Sequence, residues 1–181
     1  MELIFFPLHP DTPASGRSLE TMFTGRGYDL AAMHQRMADL MRAEGLAYGE
    51  RSHTYNSRLA QELGKWAESL SGFETIHDRL FRAYFVEGRN LGDVDELVSI
   101  AVSTGLPADE ARRVLTERLF RNQIDGDWQR SMQSGVTGVP TFVADGRSVI
   151  GAQPYDTLAQ LVRAAGARPA KSSSHESSEM V

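Results

Sequence analysis

The chain has 181 residues, of which 41% are hydrophobic and 24% charged, a composition that supports one ordinary folded domain with a core of its own. Its formal charge of −5 argues against nucleic acid or an anionic membrane surface as a partner, and its 0 cysteines exclude disulfides, thiolate metal ligands and thiol nucleophiles within it. The opening MELIFFPLHP lacks the basic start and apolar length of a signal peptide, and no run reaches the roughly 18 apolar residues of a membrane span, so a reducing cytoplasm is the expected location.

Glu2 to Leu8 is a short apolar run stopped by Pro7 and Pro10, which predicts a buried strand running into a loop over His9 to Gly16. From Asp29 a helix is signalled, because Asp29 is a capping residue and Leu30, Met33, Met37, Leu40 and Met41 recur at helical spacing before Gly45. These methionines are expected to fill core space. A second helix is predicted from about Ser57 to Leu70, with Leu59, Leu63, Trp66, Ala67 and Leu70 on one face. A third covers Phe73 to about Glu87, and its Ile76, Leu80, Phe81, Tyr84 and Phe85 make a face wide enough to be buried on more than one side.

Asp93 caps a predicted fourth helix that ends near Gly105, and Pro107, Asp109 and Glu110 open a fifth that continues through Ala111, Val114, Leu115 and Leu119. A sixth segment holds Ile124, Trp128 and Met132. The period changes at Val139. Thr141 to Ala144 and Arg147 to Ile150 read as short strands joined by Asp145-Gly146, a dipeptide suited to a hairpin turn with positive φ at both central residues. A last helix spans about Tyr155 to Ala165, presenting Leu158, Leu161 and Val162. Residues 168–181 are polar and serine-rich, with too little apolar surface to fold, and are expected to form a disordered tail.

The order of strand, helices, hairpin and helix predicts an α/β fold with its helical mass inserted between the first strand and the hairpin. Its histidines are dispersed, with no i, i+4 pair, so no metal site and no cofactor are expected. No G-x-S-x-G elbow is present, and the glycines near Gly25 and Gly88 lack dinucleotide or P-loop spacing. Asn56 and Arg58 stand at the start of the second predicted helix and read as a capping asparagine and a solvent-facing arginine.

Val139-Pro140 is the stretch that suggests binding. A proline at a strand's start has no N–H to donate, and a cis bond there would turn the backbone of Val139 outward to meet an extended peptide or a thiol substrate such as glutathione by main-chain pairing. The sequence GVTGVPTFVADGRSVIGAQP resembles the cis-proline loop and hairpin of the DsbA family of the thioredoxin superfamily, in its cytoplasmic FrnE-like branch. The similarity continues in FFPLHPDTPASG, YNSRLAQELGKWA and LFRAYFVEGRNLGDVDELVSIAVSTGLP, and so covers roughly Leu3 to Ala165.

The resemblance implies a truncated thioredoxin-like, DsbA-like fold over residues 1–167 with a helical insertion at about 18–134, and a substrate-facing loop at Gly138, Val139 and Pro140. Relatives exchange disulfides through a Cys-x-x-Cys pair at the start of their first helix. This chain starts at what corresponds to the second strand, without that βα unit, so no catalytic residue is assigned and the chain is expected to be redox-inactive by itself. Three remedies for the open sheet are conceivable: the Glu2 to Leu8 strand pairs with Thr141 to Ala144, a second copy donates a strand in a homodimer, or the true start lies upstream. Two further functional readings remain, a non-catalytic module that binds peptide clients and a relative of glutathione-dependent isomerases or kappa-class transferases.

Overall fold

A computed structural model of the protein describes residues 2–25, 27–73 and 75–168. The tail expected at 168–181 lies, from residue 169 on, outside the described residues. The chain divides into two compact units, the first ending at Ser134 and the second beginning at Gly135. None of the described helices is long and apolar enough to cross a membrane.

The first unit is helical. A two-residue strand β1 (Arg17–Ser18) pairs antiparallel with β2 (His53–Thr54), and the short helix α1 (Leu19–Phe23) and the longer α2 (Leu30–Ala43) lie between them in sequence. Five helices follow: α3 (Arg58–Glu68), α4 (Ile76–Phe85), α5 (Val94–Ser103), α6 (Ala108–Thr116) and α7 (Arg121–Gln133). The periodic apolar residues of α3 to α6 meet in one core, with Leu63 of α3, Ile76 of α4, Leu97 and Ile100 of α5 and Leu115 of α6 essentially fully buried. Each such side chain contributes about 1.5–3 kcal/mol on leaving water. The aspartates expected to cap do so: Asp29 accepts from the Ala32 N–H and Asp93 from the Glu96 N–H, both at 3.0 Å.

Three expectations are corrected. Glu2 to Leu8 is not a strand but irregular chain, because no strand lies beside it among the described residues and helices supply its partners instead. The Phe5 N–H donates to Asp127 of α7 at 3.4 Å, and the Phe6 carbonyl accepts from Gln61 of α3 at 3.2 Å. The α2 methionines do not fill a core. This helix buries no residue completely, and its half-covered side carries Leu30, His34, Ala38 and Met41, which leaves Met33, Met37 and Leu40 exposed. The wide face of α4 is buried only along Ile76, Leu80 and Ala83, while Phe81 is 61% exposed.

In the second unit β3 (Thr141–Ala144) and β4 (Arg147–Ile150) form the hairpin the sequence predicts, in the register Thr141↔Ile150 to Ala144↔Arg147. Asp145 and Gly146 both have positive φ, 49° and 71°, as a turn matched to the twist of the strands requires. Helix α8 (Tyr155–Ala164) packs on both strands through a side that buries Ala159 and Leu161, and Arg147 ties its last turn by donating to the Ala164 carbonyl at 2.9 Å.

Candidate functional site

Half-buried Gly138 and the exposed Val139 and Pro140 form a turn leading into β3. The Val139–Pro140 peptide bond is cis. Two hydrogen bonds frame the turn: the Thr141 hydroxyl donates to the Gly138 carbonyl at 2.6 Å, and the Gly151 N–H donates to the Pro140 carbonyl at 2.8 Å. Val139 is 48% exposed, and among the described residues neither its N–H nor its C=O takes part in a hydrogen bond. The turn thus leaves one backbone donor and one acceptor open, while none of its three side chains titrates and the chain has no thiol.

Asn56 and Arg58 belong to the first unit, where both are structural. The Asn56 carboxamide accepts from the Arg58 N–H at 2.9 Å at the start of α3, and its amide donates to the carbonyls of Pro10 at 2.9 Å and Thr12 at 3.1 Å. One side chain thus starts a helix and fastens the preceding loop. Arg58 is not solvent-facing as expected. Its side chain is only 13% exposed, lies 4.4 Å from the Trp128 ring centre, and donates to Glu62 at 2.9 Å and Asp125 at 2.7 Å.

Glu62 is the centre of this network and was not singled out by the sequence. Its side chain is 0% exposed and accepts two hydrogen bonds from Arg118, at 2.7 and 2.9 Å, besides the one from Arg58. Burial pushes its carboxyl pKa up, but the hydrogen bonds from Arg118 and Arg58, with their coulombic attraction, outweigh burial and hold it below the ordinary value. Arg118 holds its proton more tightly in return, chiefly through the same hydrogen bonds.

Arg118 also has a φ of 56°, the left-handed region. It follows the last residues of α6 at the position that glycine usually takes, where the Leu119 N–H reaches back to the Val114 carbonyl at 3.1 Å. From this backbone position its guanidinium reaches Glu62. One signal for this cluster was legible, the i, i+4 spacing of Arg58 and Glu62; the third member is 56 positions away. Among the described residues no group of three or more histidines, aspartates or glutamates is placed to hold a metal ion.

Known proteins share this architecture. A probable DsbA oxidoreductase from Streptomyces coelicolor superposes with a TM-score of 0.81 at 31% sequence identity, over 92% of this chain and 76% of that one. The cytosolic disulfide reductase DsbM from Pseudomonas aeruginosa matches 75% of this chain and 76% of its own with a TM-score of 0.54; at 23% identity the likeness is one of fold alone. The uncharacterized protein YwbO of Bacillus subtilis (strain 168) is 28% identical over 116 residues, 61% of this chain, and the chain spans only 55% of that relative's length. The DSBA-like thioredoxin domain matches residues 1–163. With a helical unit, a terminal hairpin entered through a cis-proline turn and a family match over nearly its whole described length, the chain belongs to the DSBA-like thioredoxin domain family.

Proposed function

We propose that this chain is a DsbA-family module that holds an extended peptide or thiol substrate at Gly138, Val139 and Pro140 and does not itself exchange disulfides. The observation that carries the reading is the exposed Val139, whose backbone N–H and C=O are outside the hairpin ladder and so match the main-chain pairing by which an extended segment adds to a sheet. Inactivity follows from chemistry: thiol–disulfide exchange needs an attacking thiolate, and 181 residues supply none. A cytoplasmic setting, with the whole of residues 1–167 acting as one DsbA-like domain, is part of the proposal; the absence of cysteine and the cytosolic name of one fold relative support it.

Two measurements test it. Insulin reduction by the purified chain in dithiothreitol should not exceed the rate without protein, and turnover above that background overturns the inactivity. Titration of a panel of extended peptides into the labelled protein should shift the amide resonances of Gly138, Val139 and Thr141. Silence of those three resonances toward every peptide at millimolar concentration overturns the binding role.

A further inference from the structure

Buried or half-buried arginines of the first unit find acidic partners: Arg58 meets Glu62, Arg79 meets Glu87 and Arg89 meets Glu96. Arg51 is the exception. It is partly buried, yet among the described residues it makes no ion pair and no hydrogen bond, and its Nε is a fully buried donor without a partner. A partly desolvated charge left unpaired is costly, and an unsatisfied buried donor calls for an explanation.

The surroundings of Arg51 are aromatic. Its guanidinium carbon lies 4.5 Å from the Tyr84 ring centre and 5.0 Å from that of Phe85, and Phe85 stacks on the exposed Phe81 with ring centres 6.2 Å apart. Tyr84 is steadied by its hydroxyl, 3.2 Å from that of Thr54. The segment carrying Arg51 is pinned as well. The Gly49 N–H donates to the Phe85 carbonyl at 2.9 Å, and a Cβ at Gly49 would stand 2.1 Å from the Val86 carbonyl oxygen, so only glycine allows this approach. Glu87, just beyond the helix, is already engaged by Arg79, Arg82 and Arg89.

We propose that Arg51, with Phe81, Tyr84 and Phe85, forms a binding site for a carboxylate carried on an apolar group, of which the C-terminal residue of a peptide is the natural example. The terminal guanidinium nitrogens supply the counter-charge and planar donors, Tyr84 and Phe85 hold the group in place, and the exposed Phe81, stacked on Phe85, offers apolar surface. This site is in the first unit and does not depend on the role proposed for Val139.

The experiment follows the Arg51 Nε–Hε resonance of the labelled 181-residue chain during titration with N-acetylphenylalanine. A saturable shift with a Kd of about 1–10 mM is expected. N-acetylphenylalanine amide should bind about fivefold more weakly because it lacks the charge, and acetate likewise because it lacks the ring. With the circular dichroism spectrum unchanged, Arg51→Gln should abolish binding, read on the backbone amides of Tyr84 and Phe85, and Phe81→Ser should weaken it. No saturable shift, equal affinity for the amide or for acetate, or undiminished binding by Arg51→Gln would overturn the assignment. A purely structural stacking role for Arg51 predicts the first of these results.

Discussion

Replacing Glu62 by glutamine keeps the volume of a side chain that is 0% exposed and removes only its charge. The carboxylate accepts three guanidinium hydrogen bonds at 2.7–2.9 Å, two from Arg118 and one from Arg58. In the variant one oxygen remains as acceptor and an amide donor faces a guanidinium donor. Removing one partner of a buried ion pair typically costs about 3–5 kcal/mol, a large share of the roughly 5–15 kcal/mol by which a domain is stable. Urea unfolding read by the fluorescence of Trp66 and Trp128, the 2 tryptophans of the chain, should show that loss at pH 7 as a lower midpoint with an unchanged slope. The pH dependence supplies a second reading. Because the folded-state pKa of Glu62 is depressed, its contribution is present above its unfolded value near 4.5 and is lost as pH falls through the folded value. Stability of the parent should therefore fall below about pH 4.5, and less steeply in Glu62→Gln. A loss under about 1 kcal/mol, or identical acid limbs, would refute the claim that this charge is held by its partners and matters to the fold.

Arg118 combines a pairing role with an unfavourable backbone, and two substitutions separate them. Both Arg118→Ala and Arg118→Gly lose the contact with Glu62, but glycine relieves the φ of 56°, so it should be the more stable by about 1–2 kcal/mol in the same unfolding assay; equal midpoints would show the backbone is not strained. Asp93→Ala and Asp29→Ala remove equivalent caps from helices of unequal burial. The first should lower global stability by about 1 kcal/mol, since α5 is in the core. The second should leave the global midpoint unchanged and raise hydrogen exchange only at the start of α2, which buries no residue completely; a global loss equal to that of Asp93→Ala would contradict the independence of α2.

The parts of the fold that local chemistry determines were legible. Asp145-Gly146 specified the hairpin because few residues accept positive φ, and aspartate followed by helical apolar spacing located α2 and α5. Periodicity shows which side of a helix is apolar but not whether anything covers it. Met33, Met37 and Phe81 were accordingly misplaced in a core. Glu2 to Leu8 has strand composition, but a strand exists only beside another, and here the Phe5 N–H and the Phe6 carbonyl are taken by Asp127 and Gln61 from distant helices. At the candidate site, Gly138, Val139 and Pro140 stood out because proline constrains its neighbours in any context. Glu62 and Arg118 were silent because their meaning is a contact across 56 positions, and an arginine gives no sign that it will occupy a glycine's conformation.

The exposed side of α2 has a chemical corollary. In a chain free of thiols, thioether sulfur is the softest target for peroxide, and Met33 and Met37 are both open to solvent. Conversion of either to its sulfoxide adds a dipole where water already reaches, whereas Leu63, Ile100 and their neighbours in the core carry no sulfur to oxidise.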